Sequence, residues 1–248
     1  MQEQIKNAIT WIKEQSIDGC ITGSCLLDYF EGQDIDVFVY DEKSLNKMLF
    51  AMKYEKMFQI IDDLEEWKFN DYINKGKSSI NKLGLITIKF KYNLSIDVNV
   101  IFKRLNTNIF SVLSNFDMNI ICKAYDIKTK KILDLTDNPG KIADWNRWNP
   151  VFYEFDLWNV SRILRQLERC FKYHKRGYNT DLVVEKYLDI IHNTLKYESV
   201  FNSDNFNERI KNYKDNLLIA EKICNLWLET HEITDNDLEI LKEKVKTI

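Results

Sequence analysis

The chain has 248 residues, 45% hydrophobic, 29% charged and 13% aromatic, with a formal net charge of −3. This composition excludes a disordered chain, and 2 prolines and 7 glycines exclude a collagen-like or linker-rich one. The length suits one large domain or two small ones that need no disulfide or metal to hold a core, and the acidic balance argues against non-specific coating of nucleic acid.

Residues 2–15 place Ile5, Ala8, Ile9 and Ile12 at helical spacing. A short apolar stretch, Cys20-Ile21-Thr22, ends in Gly23-Ser24, and a helical turn from Cys25 to Phe30 stops near Gly32. Asp34 to Tyr40 alternates polar and apolar and predicts a strand. Residues 43–69 read as helix. Leu85–Tyr92 and Leu94–Phe102 form a predicted hairpin around Asn93, and Asn119–Tyr125 with Lys131–Leu135 a second. Pro139 and Pro150 bracket Trp145 and Trp148 and mark a boundary, after which the pattern is helical, with segments near 158–178, 181–198, 205–228 and 234–247.

The cysteines Cys20, Cys25, Cys122, Cys170 and Cys224 form no CxxC pair, which fits a reducing, cytoplasmic setting. The first residues lack a signal-peptide pattern, and no apolar run approaches the roughly 20 residues of a membrane span, so no membrane partner is expected. His174, His192 and His231 are isolated in sequence, and no histidine metal site is expected.

The chemistry concentrates in carboxylates. Asp34 and Asp36 are two apart on a strand, so both leave the face that Ile35, Val37 and Val39 occupy. Asp97 alternates in the same way with Ile96, Val98 and Val100. If the two strands are neighbours, three carboxylates converge and repel one another, and divalent cations relieve that repulsion. Oxygen-rich acidic sites suit Mg²⁺, or Mn²⁺, and a pair of such ions serves in-line phosphoryl displacement. The plainer alternative makes Asp-x-Asp the wet face of a half-buried strand. Gly23-Ser24 opens a short helix about ten residues upstream. A glycine lets backbone approach a phosphate, a helix N-terminus presents N–H donors, and the serine adds a hydroxyl; the alternative is an ordinary helix cap.

The run Ile21-Thr22-Gly23-Ser24-Cys25-Leu26-Leu27-Asp28-Tyr29-Phe30-Glu31-Gly32-Gln33-Asp34-Ile35-Asp36-Val37 resembles the signature of the DNA polymerase β-like nucleotidyltransferase superfamily, in particular the head of CCA-adding enzymes and bacterial poly(A) polymerases. Gly23, Ser24, Asp28, Gly32, Asp34 and Asp36 match its places. Asn115-Phe116-Asp117-Met118-Asn119-Ile120 is similar to the family's Arg-Arg-Asp-Phe-Thr-Ile segment, and Arg162-Ile163-Leu164-Arg165 to the Arg-x-x-Arg of its neck helix. The chain departs from the pattern at Leu27 and at Leu113-Ser114, where the family carries arginine, and it has no clear Glu-Asp-x-x-Arg segment for reading the incoming base.

The resemblance implies an α/β (α+β) nucleotidyltransferase head with a mixed sheet over residues 1–140, a linker and neck helix over 141–178, and a small all-α domain over 179–248. It implies a template-independent, two-metal transfer of a nucleotide from an NTP to an acceptor hydroxyl, with an RNA 3′ end such as that of tRNA as acceptor. Gly23, Ser24, Asn115, Arg162 and Arg165 would bind the nucleotide, and Asp34, Asp36 and Asp97 would act as catalytic metal ligands. Two alternatives stand beside it: a toxin-like or regulatory transferase that modifies tRNA, protein or a small molecule, and a catalytically silent nucleotide- or RNA-binding module.

Arg162, Arg165, Arg169, Lys172 and Arg176 recur at spacings of 3, 4, 3 and 4, which puts them on one side of a helix with Ile163, Leu164, Leu167 and Phe171 opposite. The far end of that stripe (Arg169, Lys172, Arg176) is an RNA-backbone candidate; a solvated face balanced by Glu168 is the alternative. Trp145, Trp148, Trp158, Tyr173, His174 and Tyr178 offer stacking surfaces, with packing the favoured reading.

Overall fold

The computed structural model describes residues 2–26, 34–61, 85–116, 118–136, 160–196 and 208–232, and positions 234, 236 and 239. The described residues divide into two compact units, one up to residue 136 and one from residue 160.

In the first unit, β1 (Gly19–Thr22), β2 (Ile35–Val39), β3 (Phe58–Ile60), β4 (Leu85–Tyr92), β5 (Ile96–Lys103), β6 (Lys123–Asp126) and β7 (Lys131–Asp134) form one sheet in the order β3-β4-β5-β2-β1-β6-β7. Every pairing is antiparallel except β2 with β5, which is parallel. The sheet is mixed and the unit α+β, the fold class that the resemblance implies.

Strict alternation gives the central strands two different faces. Ile35, Val37 and Val39 of β2 and Ile96, Val98, Val100 and Phe102 of β5 are buried with Ile21, Ile88 and Phe90 in one core. Two helices close that face: α1 (Gln2–Glu14), through Ile5, Ala8 and Ile12, and α2 (Glu42–Tyr54), through Leu45, Met48, Leu49 and Met52. Asp41 caps α2 by accepting from the Ser44 N–H at 2.7 Å, which satisfies a donor that would otherwise lack a partner. The opposite face is apolar only over part of its area. There Cys20 and Ala124 meet Val112 and Leu113 of the short α3 (Ile109–Leu113), with Phe38, Tyr40 and Phe116 packed alongside.

The β4–β5 hairpin turns through Asn93 and Leu94, both at positive φ (47° and 62°), and closes with the Ser95 N–H donating to the Tyr92 carbonyl at 3.1 Å. Two left-handed residues match the twist of the flanking strands, which fixes the register of β5.

Three expectations change. Of the helix expected over 43–69, the described part stops at Tyr54: Glu55 is extended, and Phe58 enters the sheet as β3, with ring centroids 4.6 Å from Trp11 and 5.1 Å from Tyr92, while residues 62–69 lie outside the described residues. Pairing with β4 and aromatic burial outweigh the helical periodicity there. The turn expected from Cys25 to Phe30 is a single 3₁₀ turn, Ser24–Leu26, and the rest of it lies outside the described residues. The strand expected from Asn119 begins as a 3₁₀ turn, Asn119–Ile121, and is extended only from Lys123.

The described part of the second unit holds α4 (Val160–His174), α5 (Asp181–Lys196) and α6 (Glu208–Thr230). Leu167 and Phe171 of α4, Val184, Tyr187 and Ile191 of α5, and Leu217, Ala220 and Trp227 of α6 are buried. Phe171 meets Trp227 at 4.9 Å. The segment expected over 234–247 falls almost wholly outside the described residues. Among the described residues no helix is long and apolar enough to cross a membrane.

Candidate active site

Asp36 lies at the centre of the half-polar face. Its ladder partners are Thr22 on β1 and Asn99 on β5. Thr22 is fully buried, and its hydroxyl donates to the Lys123 carbonyl at 2.8 Å, which ties β1 to β6. Asn99 faces the carboxylates: its Nδ2 donates to Asp36 Oδ1 at 2.8 Å and to Asp34 Oδ2 at 3.2 Å. Asp34 and Asp36 are therefore brought together, as their spacing predicts, and one amide spans both.

Gly23 follows β1 with φ +87°, a conformation that L side chains rarely adopt. A Cβ at this position would stand 2.8 Å from Asp36 Oδ2, so the glycine is what lets backbone and carboxylate meet. Ser24 is buried and opens the 3₁₀ turn, closed by the Leu26 N–H donating to the Gly23 carbonyl at 3.2 Å. Cys25 turns its thiol inward and donates to the Thr22 carbonyl at 3.3 Å. Burial pushes that thiol up to about 12, and the neighbouring charges of Asp36 and Asp34 push the same way. The turn and both carboxylates thus share one small volume.

Asp97 points to the same face. The β2–β5 register, carried back one residue from the Ile35–Val98 pair, sets it beside Asp34. Its carboxylate forms an ion pair with Lys91, its direct partner on β4. Among the described residues no three His, Cys, Asp or Glu side chains are grouped as a metal site. Lys89, opposite Asn99 on β4, adds a second cation to this face.

Sequence reasoning missed Asn99 and Lys91. Each had a weak signal: a polar residue at an alternating strand position reads as solvent-facing, and only the register shows what it faces.

The remaining candidates lie elsewhere. Asn115 gives its amide to Asn106 Oδ1 at 3.0 Å and to the Ser111 carbonyl of α3 at 2.6 Å. Arg162 and Arg165 are on α4, and their side chains fall outside the described residues. Arg169 and Lys172 follow on the same helix. Arg176 does not: α4 ends at His174, Gly177 takes φ +84°, and the Arg176 guanidinium lies 5.5 Å from the Tyr173 ring centroid. The stripe is one residue shorter than its spacing predicts, because the helix turns off before its last member. Tyr173 and Tyr178 are buried edge to face at 5.9 Å, and His174 meets Trp227 at 4.4 Å, so these rings pack. Trp145, Trp148 and Trp158 lie outside the described residues.

The donor set fits a hard divalent cation. Asp34 and Asp36 offer only oxygen, and Asn99 shows that the space against both carboxylates accepts a group of positive polarity.

No protein-family model matches the sequence, and no curated protein matches it. A solved structure described as the complex structure of a CCA-adding enzyme with CTP is similar over 98% of this chain, at 13% identity and a TM-score of 0.39. The chain spans 63% of that enzyme's length.

Proposed function

We propose that the chain is a metal-dependent nucleotidyltransferase. It would move a nucleoside monophosphate from an NTP to an acceptor hydroxyl and release pyrophosphate. The observation that carries this reading is the meeting of Asp34, Asp36 and the left-handed Gly23 turn at one point of the sheet. Carboxylates bind the cation that accompanies an NTP, and a glycine turn without a side chain admits its phosphates.

Asp34 and Asp36 would hold Mg²⁺ or Mn²⁺, with Asp97 joining them once Lys91 turns to a phosphate oxygen. The ion supplies charge neutralisation at the phosphates and lowers the pKa of the acceptor hydroxyl. The Gly23 and Ser24 segment lies against the β- and γ-phosphates, and Lys89 and Lys91 face the same anionic group from β4. The acceptor oxygen forms a bond to the α-phosphorus as the bond to the β-phosphate oxygen breaks. The electron pair leaves with pyrophosphate, and the hydroxyl proton passes to solvent. Holding the reactants in line is most of the catalysis.

The acceptor we favour is an RNA 3′ end, tRNA-like, on the strength of the signature's resemblance and of the cations Arg162, Arg165, Arg169 and Lys172 along α4. The test is transfer from each α-labelled NTP with Mg²⁺ or Mn²⁺, with and without total tRNA, beside Asp34→Ala/Asp36→Ala. Label in RNA that disappears with the aspartates is the expected result. Label on protein or on a small molecule keeps the chemistry and moves the acceptor. Equal labelling by the double variant sinks the proposal.

A further inference from the structure

The β2–β5 pairing puts an amide, not an acid, directly opposite Asp36. Asn99 Nδ2 carries two hydrogens, and the two aspartates lie at 2.8 and 3.2 Å from it, so each carboxylate receives one. An amide donor costs no net charge and fixes the rotation of both carboxylates together. Its own strand holds it in place: Val98 and Val100 on either side are fully buried, which leaves the Asn99 backbone no freedom to retreat.

We propose that Asn99 is a positioning residue that yokes Asp34 and Asp36 into one preformed cation clamp. This rests on the nucleotidyltransferase reading of the same site. Two carboxylates that share a face repel; a donor bonded to both offsets that repulsion and turns one oxygen of each toward a common point. Asn99 acts through the aspartates, and its own contact with substrate is not part of the role. Until a phosphate draws Lys91 away, its ion pair keeps Asp97 aside, and Asp34 and Asp36 form the preformed clamp by themselves.

The experiment is Mn²⁺ binding by the full chain, followed by electron paramagnetic resonance, with melting temperature and transfer kinetics beside it. Asn99→Ala is expected to weaken Mn²⁺ binding by about 10–100-fold, the range for partners that orient metal ligands. Its kcat for transfer falls while KM for an uncharged RNA-mimic acceptor stays constant. Asn99→Asp puts a third acid where the donor was. It is expected to melt lower than the native chain without metal and to recover that loss when Mn²⁺ is added, which checks that position 99 faces the same ion as the two aspartates; the Mn²⁺ affinity of Asn99→Ala is the readout a merely structural asparagine would not move. Unchanged Mn²⁺ affinity in Asn99→Ala, with Asp36→Ala abolishing binding, overturns the role of Asn99 and leaves the site intact. Absence of Mn²⁺ binding by the native chain at millimolar metal and NTP overturns both.

Discussion

On one face of the seven-stranded sheet, Ile35, Val37 and Val39 of β2 and Val98 and Val100 of β5 sit at 0% exposure beneath α1 and α2; on the other, Asp36 and Asn99 from the same two strands are half-buried. The same backbone and the same register produce both surfaces, because side chains one residue apart point opposite ways. What differs is the cover. Among the described residues, two long helices seal the first face, while α3, five residues long, covers the second near Cys20 and Ala124. A strand with one face packed can carry charge on the other without losing its place, and the polar part of that second face holds the candidate chemistry.

The contrast gives a ranked set of expectations. Phe90→Ala, on the sealed face at 0% exposure, should cost about 3–5 kcal/mol of stability, read by denaturant unfolding. A loss below about 1 kcal/mol would mean that this face is not the core. Asp36→Ala, on the open face, should lower transfer by at least about 10²-fold while the chain melts at or above the native temperature, because a repulsive charge is gone. Gly23→Ala lies between the two. Its left-handed φ costs roughly 1–2 kcal/mol, and the new methyl displaces Asp36, so stability and transfer should fall together. Lys91→Met should raise the KM for NTP by about tenfold, the loss of one charged hydrogen bond, with little change in melting. The smallest effect belongs to the sealed side: Asp41→Ala removes the α2 cap for about 1 kcal/mol and leaves transfer unchanged.

Much of the first unit was legible in the sequence because its strands alternate cleanly. Asp34–Tyr40, Leu85–Tyr92 and the run after Asn93 could be read directly, and the pleat alone put Asp34 and Asp36 on one side. The sequence could not show what Asp97 would meet. Its ion pair with Lys91 depends on a hairpin register that two left-handed residues, one of them a leucine, set. β3 was hidden for a related reason: Phe58 keeps helical spacing with the residues before it, and only its fit between Trp11 and Tyr92 makes it a strand. Arg176 keeps the spacing of a helix that ends two residues earlier, and Gly177 turns the chain just beyond it. In each case local pattern gave the residue's type of surface, and a distant partner decided its place.

Burial decides one further expectation. The Cys25 thiol, raised to about 12 by burial and by the Asp36 and Asp34 charges, stays protonated through pH 9. It should resist alkylation in the native chain and react once the chain is unfolded in urea. Rapid native labelling at pH 8 would show that the Gly23 turn opens in solution.

The parallel pairing of β2 with β5 carries a consequence for how the protein comes into being. Asn99 lies 63 residues beyond Asp36, and α2, β3 and β4 must all be made before the two can meet. Closing so long a loop is slow compared with forming the helices or the β4–β5 hairpin. A chain emerging from the ribosome therefore shows its two aspartates to the cell well before anything holds them in register. Until β5 arrives the two aspartates have no Asn99 to hold them, and the candidate site is assembled only when that long-range pairing is made.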